Sequence, residues 1–258
     1  MSFNLADVET IYAEDPKLKR ENVKSLSEWV EQQPHLPEIT ELQVILFLHS
    51  CYYDMEAAKT TIENYFTLRT NSDLFHCATE EMIKRTLSMS FIHLFPKKTP
   101  EGDVVLLMRL LDRRPEVYVC LEHLKVMTML MSLYFHQYGP ANGMVAVFDM
   151  EGAALGHLTR INLSGMKQLL YFVQLKFHYS YDSFYECVPK KCLPKEYGGD
   201  LPDVLTLQEG NVKNLMDNLD FFKWHDNQKV DESKKVLQNK NKKSFFSLTS
   251  AFKKLEFD

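Results

Sequence analysis

Between Pro16 and about Gln33 the apolar residues Leu18, Val23, Leu26, Trp29 and Val30 recur at helical spacing among lysines and glutamates. That spacing predicts an amphipathic helix with one buried stripe. Pro34 and Pro37 end it, because proline has no N–H to donate and disfavours helical backbone in the residue before it. Thr40 then heads a second short helix carrying Leu42, Val44, Ile45, Phe47 and Leu48. Asp54 is placed to cap a third, with Ala57, Ala58, Ile62, Tyr65, Phe66 and Leu68 on its inner side. Together these predict an N-terminal three-helix bundle over residues 14–75.

After the polar stretch from Thr70 to Asp73 and a helical segment around Glu80–Leu87, the period changes. Phe91–Phe95 is a short apolar run, KKTPEGD is turn chemistry, and Val104–Leu111 is a longer run with β-branched residues at its start. This predicts a pair of strands opening a second domain, residues 76–202. Glu116–Tyr138 reads as a strongly apolar helix closed by Gly139-Pro140. Gly143–Met150 is a continuous apolar run, as in a strand covered on both faces. Leu163–Val173 is helical again and Leu175–Ser180 is a short strand candidate. Strands alternating with helices place the chain in the α/β class behind its helical bundle.

Residues 203–258 read as a C-terminal helix and a flexible tail. The helix is polar and runs from about Asn211 to Asp226. DNQKVDESKKVLQNKNKK has hardly any apolar residue and predicts a mobile stretch. The final segment turns apolar, with Phe245, Phe246, Leu248, Phe252, Leu255 and Phe257 beside Lys242, Lys243, Lys253 and Lys254. Such a composition suits an interfacial helix and equally suits docking on the protein's own surface.

Composition narrows the function. The net charge of −5, with both signs mixed along the chain, gives no positive field for nucleic acid. Five scattered cysteines, an odd number, fit a reducing compartment. Cys187 and Cys192 are spaced too widely for a structural zinc knuckle and no second ligand pair follows, so neither metal nor cofactor is expected. The start MSFNLADVETIYAEDP lacks a basic, apolar leader, and no window approaches the ~20 apolar residues of a spanning helix. A soluble, cytoplasmic monomer with at most peripheral membrane contact is the expectation.

Three groups of residues invite a chemical reading. Asp149 and Glu151 flank a strand end, where alternate side chains point apart, so a structural turn with Gly152 is favoured over a catalytic carboxylate pair. His93, His157 and His178 stand in no nucleophile pattern, and GxSxG is absent. The expectation is therefore a protein that is not an enzyme. Met127, Met129 and Met131 on VMTMLMSLYF could line a pocket, although such a stripe is more often ordinary core.

VAVFDMEGAALGHL and FHYSYDSFYECVPKKCLPKEYGGDLP resemble the CRAL-TRIO lipid-binding domain. The resemblance is carried by Asp149, Glu151 and Gly152, then by Leu193, Pro194, Glu196, Tyr197, Gly198 and Gly199. Upstream, Phe47-Leu48, Asp54-x-Glu56-x-Ala58 and Tyr65-x-x-x-Arg69 resemble that family's N-terminal bundle, for coverage from about Asp15 to Pro202. SAFKKLEFD resembles the tail of insect members described as similar to the α-tocopherol transfer protein. The resemblance implies non-enzymatic binding and intracellular transfer of a small hydrophobic lipid: a tocopherol, retinoid, carotenoid or phospholipid. It places Leu124, Met127, Met131, Met144, Phe148, Leu169, Phe172 and Val173 against the ligand, and implies transient contact with an anionic membrane surface.

One departure matters. Val173-Gln174 runs almost directly into Leu175-Lys176-Phe177-His178, where the family carries a further strand and a gate helix. The domain is therefore read as shortened near 174–175. His49 and Cys51 also stand where arginines would grip a phosphoinositide headgroup, which argues against that ligand. The alternative is an interaction or membrane-peripheral protein that has lost the gated pocket and meets its partner through the bundle or the basic tail.

Overall fold

A computed structural model describes residues 4–76, 79–161, 184–185 and 188–235. The first helix, α1 (Val8–Glu14), is capped by Asp7, which accepts from the N–H groups of Glu9 and Thr10. Next comes α2 (Arg20–Glu31), which starts later than its apolar pattern suggests. Asp15 holds a turn in front of it, accepting from Lys17 N–H at 3.0 Å, so Leu18 is buried from a loop. Thr40 and Gln43 form a reciprocal capping box at the head of α3 (Glu41–Ser50), and Asp54 caps α4 (Met55–Asn71) through Ala57 N–H at 2.8 Å. Helix α3 is apolar nearly all round because it lies between α2 and α4, and Leu26, Ile45, Leu48, Ile62 and Phe66 are fully buried there.

Helix α5 (Glu80–Met89), capped by Thr79, leads directly into β1 (Ser90–Phe95). β2 (Val104–Leu110) pairs with β1 antiparallel, from Ser90 opposite Leu110 to Phe95 opposite Val105. The chain then passes through α6 (Cys120–Tyr138) to β3 (Met144–Asp149), which lies parallel to β2 in the order β1-β2-β3. The expected helix from Glu116 is broken at its start: Pro115–Val117 is a 3-10 turn. Beyond β3 come the short α7 (Leu155–Leu158), 3-10 turns at Lys190–Cys192 and Lys195–Tyr197, then α8 (Val204–Asp217) and α9 (Leu219–Asn227). The protein is thus a mixed helix and sheet structure in which a helical bundle precedes a small three-stranded sheet.

Strand alternation sorts the sheet into two buried faces. Ile92, Leu94, Val104 and Leu106 pack with Ile83, Leu87, Val126 and Leu130. Phe91, Phe95, Val105 and Leu107 pack with Val188, Cys192, Leu193 and Tyr197 on the opposite side. β3, expected to be covered on both faces, is only half-buried, and Phe148 is 36% exposed.

Among the described residues the edge of β1 is closed by side chains. From α8, Asn211 donates to the Ile92 carbonyl at 2.6 Å and Gln208 donates to the Ser90 carbonyl at 3.0 Å. Buried carbonyls must be paired, and these two amides do it where a strand would otherwise recruit a stranger. Asn211→Leu, of similar volume, is expected to leave the Ile92 carbonyl unpaired and to lower stability by about 1–3 kcal/mol in urea denaturation.

Residues 228–231, the first part of the stretch expected to be mobile, are held against the bundle. Gln228 and Val230 are buried, and Val230 belongs to the core of the bundle. Gln228 bonds to Gln43 and to the Glu38 carbonyl, Val230 N–H donates to Thr70 Oγ1 at 2.8 Å, and Asp231 N–H donates to the His35 carbonyl at 2.9 Å. Few apolar residues are present, but the bundle uses them and satisfies the backbone, so residues 228–231 act as a strap. The helix and strand expected over 163–180 and the tail over 236–258 lie outside the described residues. Among the described residues no helix is long and apolar enough to cross a membrane.

Candidate functional site

Four of the residues expected to face a lipid share one core. Leu124 and Met127, both buried on α6, pack with Met131 and Met144 in the cluster that also contains Ile92 and Leu106. Phe148, further along β3, stands partly in solvent. Leu169, Phe172 and Val173 lie outside the described residues.

The carboxylates near the end of β3 hold a turn, as the strand-end argument expects. Asp149 Oδ1 accepts from Glu151 N–H at 2.9 Å, and Gly152 has φ +82°, where a Cβ would collide with Arg113 at 2.5 Å. The two carboxylates nevertheless share a cation, with Arg109 3.9 Å from Asp149 and 3.7 Å from Glu151. Arg113 also pairs with Glu151. Tyr197 donates its hydroxyl to Asp149 Oδ2 at 2.6 Å, so the LPKEYGGDLP segment is tied to the sheet end. Burial, reinforced by Asp149, pushes the Tyr197 phenol up and keeps it a donor. In the same segment Glu196 accepts from Val204 N–H at 2.9 Å, at the head of α8. Both motifs are thus accounted for by structural bonds.

Of the candidate histidines, the two described are packed into the core. The His93 ring lies 5.7 Å from Phe91 and 4.8 Å from Phe95, and burial lowers it to about 4 against a small opposing bond from Asn211. His157 is buried, accepts from Ala154 N–H at 3.0 Å and packs edge-on to Tyr118. His178 lies outside the described residues. The thiol of Cys192 is buried and directed at the Lys98 carbonyl, and no metal-holding group of His, Cys, Asp and Glu occurs among the described residues.

A polar junction not anticipated from the sequence lies where the bundle meets α6 and α9. Arg69, 4% exposed near the end of α4, donates to the His225 carbonyl at 2.9 Å and reaches Asp226 at 3.5 Å. Tyr65 hydroxyl and His225 Nε2 are 3.3 Å apart, and the His136 and His225 rings are 5.4 Å apart. A cavity of about 20 Å³ is lined by Arg69, Phe75, Lys125, Met129, His225 and Asp226, room for about one water. The sequence carried a signal for it: Ile62, Phe66 and Arg69 fall on one helical stripe, which sets a guanidinium among buried residues.

At the other end of α4 the chain turns through Cys51–Asp54 with two non-glycine residues in left-handed backbone, Tyr52 at φ 53° and Tyr53 at φ 66°. Each such residue costs about 1–2 kcal/mol. Tyr53 offsets part of this: its N–H donates to the Leu48 carbonyl at 2.8 Å and its hydroxyl to Asp15. The Tyr52 N–H likewise donates to the His49 carbonyl at 3.1 Å, but its side chain stands 89% exposed. An aromatic ring held in solvent by a strained, anchored turn is a reason to suspect a contact surface.

Residues 15–79 match the family model described as Pinta-like, UBA domain. No curated protein matches the chain. The match corrects the CRAL-TRIO resemblance, since no CRAL-TRIO model matches and the N-terminal helices point to a different family. The lipid-binding and lipid-transport character, including likeness to the α-tocopherol transfer protein, is withdrawn with it. The physical reason is that pairs such as Phe47-Leu48 and a capping Asp54 recur wherever short helices pack in threes, so they do not discriminate between families. The matched segment takes in α2, α3 and α4, and with them both the Tyr52 turn and Arg69.

Proposed function

We propose that this chain is a non-enzymatic interaction protein that presents its N-terminal helical bundle to a protein partner. The supporting observation is the Tyr52 turn, an exposed aromatic on strained backbone within the segment that matches a UBA domain. Exposed aromatics of this kind supply large contact area at small entropic loss and are enriched among residues that dominate binding energy. A UBA domain suggests ubiquitin-related binding, which makes ubiquitin the first partner to test.

The test is an NMR titration of the isotopically labelled full chain with unlabelled ubiquitin. Resonances of the turn between α3 and α4 are expected to shift, and Tyr52→Ala is expected to weaken the interaction about tenfold or more while leaving thermal unfolding unchanged. Shifts confined to other parts of the chain, no shifts at all, or affinity undiminished in Tyr52→Ala would reject the reading. Native mass spectrometry after incubation with liposomes provides an independent check. Retention of stoichiometric lipid would displace the interaction reading in favour of a carrier.

A further inference from the structure

Two imidazoles are stacked into the joint between bundle and sheet. His136, on α6, packs against Phe221 at 4.9 Å, Trp224 at 6.0 Å and His225 at 5.4 Å, all on α9. Its Nδ1 bonds the Ser132 carbonyl at 2.7 Å, whereas Nε2 is buried with no partner among the described residues. Its own carbonyl accepts from Ala6 N–H at 2.7 Å, so the segment leading into α1 also closes on it. His225 meets Tyr65 from α4, and its carbonyl takes the Arg69 guanidinium, whose Nε is buried without a partner among the described residues. The groups facing this pair are Arg69 and Tyr65 from α4; Asp226 at the end of α9, which engages that arginine, is itself faced by His76 from the loop after α4, Lys125 from α6 and Lys229 just beyond α9. The permanent charge nearest the rings is positive, and the carboxylate, Asp226, is engaged 3.5 Å from Arg69.

We propose that His136 and His225, wedged between α6 and α9 against Arg69, form a proton-operated latch that holds the helical bundle and its strap on the sheet and releases them on acidification. A second positive charge meets no acceptor at His136 Nε2 among the described residues, and on either ring it repels the guanidinium. Burial, then Arg69, hold His225 well below the ordinary histidine value; burial and Arg69 lower His136 against an opposing bond from Ser132. Rings that are neutral in the closed state take protons more readily once the joint opens. The closing free energy is therefore complete above the ordinary histidine range, about 6.5, and falls as pH drops through and below it. Asp226, raised by burial, contributes with the opposite sign, so a loss on acidification belongs to the histidines.

Hydrogen–deuterium exchange of the full chain at about pH 7.5 and about pH 5.5, corrected for intrinsic rates, tests this. Segments 62–70 and 219–231 are expected to lose protection about tenfold at the lower pH, while β1 and β2 keep theirs. Unchanged protection at the joint overturns the latch. So does an equal loss in β1 and β2, which would mark general acid unfolding through His93 and His123, the buried histidines set against the sheet. In the variant His136→Gln with His225→Gln the joint is expected to lose its pH dependence. Persistence of that dependence would also overturn the proposal, and the measurement on the unsubstituted chain needs no variant to fold.

Discussion

Phe221→Ala is expected to lower the unfolding free energy by about 3–5 kcal/mol, the range for truncating a buried aromatic that leaves a cavity. Phe221 is fully buried and ringed by His136 at 4.9 Å, Phe222 at 5.4 Å, His225 at 5.4 Å and Trp224 at 5.7 Å. Its neighbours come from two helices and are wide, flat rings, which cannot close over the missing volume by changing rotamer. Urea denaturation followed by tryptophan fluorescence measures the change directly, since Trp224 reports from the same contact. A shift below about 1 kcal/mol would show that α9 is a surface element and not part of the core. Because Phe221 belongs to the sheet core while Val230 belongs to the bundle core, the loss should appear in a single transition.

Gly199→Ala carries the second large expectation, a loss of about 3 kcal/mol. A Cβ at Gly199 would lie 2.0 Å from the Leu193 carbonyl oxygen, a backbone atom that cannot swing aside. That carbonyl also accepts from Leu201 N–H at 3.0 Å, so moving it disturbs the bridge between Pro194 and Leu201. The adjacent Gly198 is a useful contrast. It sits at φ +65°, and its Cβ would meet the Tyr185 hydroxyl, the tip of a side chain, so Gly198→Ala should cost about 1–2 kcal/mol. Thermal unfolding of the two variants side by side checks the order. Equal stability of Gly199→Ala and the unsubstituted chain would mean that the Leu193 carbonyl does not stand over Gly199.

The elements that were legible in the sequence are those fixed by local chemistry. Thr40 and Asp54 mark helix starts because their side chains satisfy N–H groups that have no helical partner. The runs Phe91–Phe95 and Val104–Leu111 become a hairpin because KKTPEGD supplies a turn in which Gly102 takes φ +87°. Hydropathy says which residues turn inward but not what they meet there. Gln43, Arg69, Gln208, Asn211 and Gln228 all count as polar, yet each is buried and joins parts of the chain remote in sequence. For that reason a reading by pattern places neither the joint around Arg69 nor the strap after α9, and it makes of the strap a mobile stretch. The turn at Asp149–Gly152 is legible in the sequence, but a turn held by bonds to its own chain carries no information about a ligand. Tyr52 escaped for another reason: nothing in Cys51-Tyr52-Tyr53-Asp54 announces left-handed backbone, which here is imposed by the anchoring of Tyr53.

The strap has a practical corollary for anyone working with the UBA-like segment. Excising residues 15–79 would remove Val230 from the hollow between the helices, leave Gln43 without its amide partner and strip Arg69 of the carbonyl it caps. The excised piece would start and stop where a sequence profile does, yet Tyr65 and Arg69 on its wall meet His225, some 150 positions downstream. Its failure to stay monomeric, or to bind, would reflect missing neighbours and say nothing about the recognition properties of the whole chain.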